Sequence, residues 1–61
     1  MSEYIQNVVR ETRTWIAQYW VKNDGQFPNE DQVWDRIITM NKNISTDNAE
    51  KVLNEVMRGI I

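Results

Sequence analysis

The chain has 61 residues, 41% of them hydrophobic, with nine acidic against seven basic side chains, a formal charge of −2 and neither cysteine nor histidine. That length holds one domain with one small core, and the missing residues exclude disulfides, thiolate or imidazole metal sites and His- or Cys-based catalysis. An acidic balance gives the chain as a whole no attraction to phosphates or anionic lipid.

From Glu3 to Lys22 apolar residues recur at three- and four-residue steps, with Ser2 placed as an N-cap and Glu3 at the favourable end of the helix dipole. Tyr4, Val8, Trp15 and Tyr19 line one edge of the apolar band; Ile5, Val9, Ile16 and Trp20 line the other. So wide a band calls for two packing partners. Val21 falls on the opposite, outer side.

The stretch NDGQFPNEDQ, from Asn23 to Gln32, then concentrates the breakers. NDG tolerates the left-handed conformation of a C-cap, and FP forces the residue before proline out of the helical region. Asn29 with Gln32 three residues on reads as a capping box, with Glu30 and Asp31 in the first turn suiting the dipole. Phe27, the apolar residue of the turn, is expected to plug the end of the bundle.

A second, three-turn helix is expected over 29–41, presenting Val33, Trp34, Ile37 and Ile38 inward and Asp35, Arg36 and Thr39 outward. NKN at 41–43 makes a polar turn, and Ile44 before Ser45 resembles a hydrophobic staple ahead of an N-cap. The third helix, over 45–59, carries Ala49, Val52, Leu53, Val56, Met57 and Ile60 on one face, with Gly59 as a candidate C-cap. The expectation is an all-α domain, a single small three-helix bundle. Its apolar tail, Ile60 and Ile61, either closes the core or remains sticky.

No phosphate-cradling glycine loop or metal-ligand spacing occurs, so neither a cofactor, a bound metal nor an enzyme is expected. No run approaches the roughly 20 apolar residues that span a bilayer, and the start lacks the basic flank and apolar centre of a signal peptide. The expected setting is the cytoplasm.

The segment FPNEDQVWDRIITMNKNISTDNAEKVLNEV resembles the second and third helices of tri-helical helix-turn-helix domains: a proline before the second helix, a polar turn, a Ser/Thr cap, then Ala49 and Val52 inward. The turn lacks the glycine common in that family. The resemblance implies a DNA-binding regulator reading through Asn48, Lys51, Asn54 and Arg58, with Lys42 nearby. Against it, Asp47 and Glu50 would face the phosphates, and acidic outnumber basic residues on the outer side of that helix.

The favoured reading is a protein partner. Tyr4 and Trp15 at the edge of the first helix's band and Trp34 beside the second's are the large amphipathic side chains that interfaces favour. Asp31, Asp35, Asp47, Glu50 and Glu55 could compete for a partner's basic, nucleic-acid-binding surface. In size and charge the chain is similar to small regulators and host-directed inhibitors carried by phages and plasmids. A homodimer through the first helix would extend an inadequate core.

Overall fold

A computed structural model of the chain describes residues 2–60, without the side chain of Ile60. It consists of α1 (Glu3–Lys22), α2 (Glu30–Met40) and α3 (Thr46–Ile60), all three packed on one another as a small bundle. The expected tail contact of Ile61 and the Ile60 side chain lies outside the described residues.

Each helix starts on the cap its sequence supplies. Ser2 Oγ accepts the Ile5 N–H at 3.2 Å, and Ser45 Oγ accepts the Asn48 N–H at 3.2 Å. At α2 the box is reciprocal: Asn29 Oδ1 accepts from the Gln32 backbone, and Gln32 Oε1 accepts from the Asn29 backbone, both at 2.9 Å. These bonds satisfy amide groups that the first turn of a helix cannot bond internally.

The break after α1 is built by three consecutive residues. Asn23 caps the helix, its N–H and its side-chain amide both donating to the Tyr19 carbonyl. Asp24 (φ 55°) and Gly25 (φ 86°) turn left-handed, and the Gly25 N–H returns to the Trp20 carbonyl at 2.9 Å, the long bond of a Schellman motif. The Trp20 indole lies over this turn, 3.7 Å from where a Gly25 Cβ would stand.

The core is aliphatic. Ile5, Val8, Val9 and Ile16 of α1 meet Val33 and Ile37 of α2 and Ala49, Val52, Leu53 and Val56 of α3, with Val33, Ile37, Ala49 and Val52 wholly out of solvent. Trp15, Trp34, Ile44 and Met57 pack around it, half-buried. Thr12 belongs to the buried set as well, its hydroxyl donating to the Val8 carbonyl at 2.7 Å so that no polar atom is stranded.

Four expectations are corrected. Phe27 is 53% exposed and plugs nothing; Pro28 is the buried residue of the turn, one place before the cap, where it and the buried Val33 occupy the two staple positions. Trp20 is 44% exposed, because it sits on the terminal turn of α1 and folds over Gly25. Ile38 is also at the surface, on the margin of the α2 stripe. Gly59 is no C-cap: α3 continues through Ile60, and Gly59 lacks positive φ.

The absent side chain at Gly59 has a different use. Arg13 of α1 lies against it, its guanidinium 3.5 Å from the Cβ position, and Arg13 Nη2 donates to the Glu55 carbonyl at 3.2 Å. A cation is thereby held at the end of α3 where the helix dipole favours it.

Candidate binding groove

The seam between α2 and α3 gathers Glu30, Asp31 and Trp34 of the first helix with Glu50, Leu53 and Asn54 of the second around an open groove of about 390 Å³. The local reasons are independent. Glu30 and Asp31 occupy the first turn of α2, where the dipole offsets their charge. Trp34 follows core residue Val33 and so stands at the margin of the buried stripe, while Glu50 stands one step beyond buried Ala49 on α3. Packing α2 on α3 brings these margins together, and the product is a half-buried indole bordered by three carboxylates.

A second cleft lies between α1 and α2. Trp15 and Asp35 meet there with Gln32, Arg36 and Thr39. The Trp15 ring is already engaged inside the chain: Tyr19 packs beside it, with centroids 5.6 Å apart and planes at 54°, and the Arg36 guanidinium lies over it at 5.5 Å. Tyr19 is fixed in turn, accepting from Gln32 Nε2 at 3.2 Å. Trp34 makes no ring or cation contact among the described residues. Of the two half-buried indoles, it is the one left open to an incoming group.

The residues singled out in the sequence therefore divide. Asp31, Trp34 and Glu50 share the α2–α3 groove, Trp15 and Asp35 share the α1–α2 cleft, and Tyr4 stands apart near the start of α1, 48% exposed. Asp47 is exposed in the first turn of α3. Glu55 is half-buried on the opposite seam with Arg10 and Arg13, and pairs with Arg58 at 3.4 Å. That pair is solvent-facing and contributes little to stability.

Of the residues expected to read DNA, Asn48, Lys51, Asn54 and Arg58 stay together on α3, and Lys42 lies in the turn before it. Asn48 is half-buried at the start of α3, Lys51 and Lys42 are exposed, Arg58 is paired with Glu55, and Asn54 lines the groove that holds the three carboxylates. Glu30 and Leu53, read from the sequence only as a dipole partner and a core residue, are the members of the groove that sequence reasoning missed. Spacing along one helix carries no signal for a group assembled across two.

Among the described residues no three acidic side chains converge closely enough to hold a metal ion, and no helix is long and apolar enough to cross a membrane. Comparison of the chain with protein-family models, with curated proteins and with solved structures finds no match.

Proposed function

We propose that the chain is a non-catalytic binding domain whose α2–α3 groove takes a basic surface of a protein partner. The observation that carries this reading is the convergence of Glu30, Asp31 and Glu50 on the free, half-buried ring of Trp34. Carboxylates at the rim steer and orient a cationic partner, and an indole beside the buried Leu53 supplies the anchor on which interface energy concentrates. An arginine or lysine entering between them meets charge from both helices and an aromatic face. A partner that uses the same cations to hold nucleic acid would be blocked, which makes a small inhibitor or regulator the natural role.

The same geometry weighs against a helix-turn-helix reader. A recognition helix must bring its outer face within reach of phosphates, and on α3 that face includes Asp47 and Glu50, with Asn54 set among the carboxylates.

The test is a titration, followed by tryptophan emission, with an arginine- and lysine-rich amphipathic helical peptide and, separately, with mixed-sequence duplex DNA, each at low and moderate salt. The peptide is expected to bind with salt-weakened affinity, and Glu50→Lys or Trp34→Ala to reduce that affinity by about tenfold or more. Salt-sensitive binding of the DNA with no binding of the peptide would overturn the reading in favour of α3 as a recognition helix.

A further inference from the structure

Among the described residues no element covers the outer face of α1. Arg10, Thr14, Ala17 and Val21 run along it, and the recess bordered by Thr14, Ala17, Gln18, Val21 and Lys22 is lined by α1 alone. Val21, at 70% exposure, is the most exposed large apolar side chain among the described residues.

The charges bordering this face are also unspent. Arg10, Glu11 and Lys22 make no ion pair among the described residues. Their order along the helix is complementary to itself when reversed. In an antiparallel pair of α1 helices with Glu11 opposite Lys22 of the second copy, the two-fold axis passes between Ile16 and Ala17, and the Glu11 to Lys22 contact forms twice. Arg10 then falls opposite Asn23 of the second copy, beside Asp24 and the negative end of that helix. Val21 comes level with the stretch of α1 between Arg10 and Thr14 of the second copy. A parallel pairing would set Arg10 against Arg10 and Lys22 against Lys22, so the charges select one orientation.

We propose that two copies of the chain associate antiparallel through the outer faces of α1. The pairing is isologous and closes on itself, so it gives a dimer rather than a filament. It leaves the α2–α3 seam free on each copy, and the dimer offers two grooves to a partner carrying repeated basic segments, where linkage raises avidity without new contacts. A single helix face about 30 Å long is at the small end of stable interfaces, so dissociation falls in the micromolar range rather than below it.

Sedimentation equilibrium of the full chain up to about 500 μM, well above that range, tests the proposal without reference to the groove. The expected mass is twice that of one chain, and Val21→Lys, which sets a second cation level with Arg10 of the other copy at a position the core does not use, gives a monomer with an unchanged helical circular dichroism spectrum. Glu11→Lys and Lys22→Glu each weaken association about tenfold or more, and combining them restores it. A wild-type monomer at the highest concentration, a Val21→Lys variant that still dimerises, or a charge-swapped double variant without recovery would each overturn it.

Discussion

The interior and the rim of this bundle are made of different chemistry. Among the described residues no aromatic side chain is buried: the centre is Ile, Val, Leu and Ala, while Trp15 and Trp34 occupy the seams and Tyr4, Trp20 and Phe27 reach solvent. Three short helices enclose a narrow core that β-branched residues fill in well-defined rotamers. An indole is too large for that space and is displaced to a seam, where one edge packs and the other stays wet. Stability and recognition thereby fall on neighbouring residues of the same helix, Val33 and Ile37 for the first and Trp34 for the second.

The largest test of that division is Ile37→Ala. With no residual exposure to lose and three helices around it, the truncation is expected to cost about 2–5 kcal/mol, enough to abolish a cooperative melt in a domain this small. Near-parent melting would place the centre of the fold elsewhere. A smaller loss, about 1 kcal/mol, is expected for Asn29→Ala, which removes the side-chain oxygen that accepts the Gln32 N–H while leaving the backbone arm of the capping box, read as a shift in the urea midpoint. Trp20→Ala removes a larger side chain but from the rim, where it covers the Gly25 turn, and is expected to change stability by no more than about 0.5 kcal/mol. If Trp20→Ala unfolded the chain while Ile37→Ala did not, the interior and rim would have to exchange roles.

What the sequence made legible was local. Ser2, Asn29 and Ser45 could be identified as caps because capping is decided within four residues, and the three helix spans followed from apolar periodicity closed by NDG and FP. Whether Phe27 or Pro28 enters the core depends on the angle at which the chain approaches α2, which neighbouring apolar residues do not encode. Thr12 hides because a polar residue in an apolar stripe reads as a gap, although its hydroxyl is satisfied one turn back. Trp20 shares a face with Ile16 but lies one turn nearer the helix end, beside the turn it covers. The groove required knowing that α2 and α3 meet along the margins carrying Glu30, Trp34 and Glu50, a relation between helices rather than within one.

The most direct measurement is a ¹⁵N–¹H spectrum of the labelled protein titrated with the arginine- and lysine-rich helical peptide, because the three tryptophans report from three different places through their indole N–H signals. Displacement of the Trp34 indole together with the Asp31 and Glu50 amides, while Trp15 and Trp20 hold still, is the predicted result. Displacement centred on Trp15 or Trp20, or no displacement at any of the three at low salt, would contradict the account.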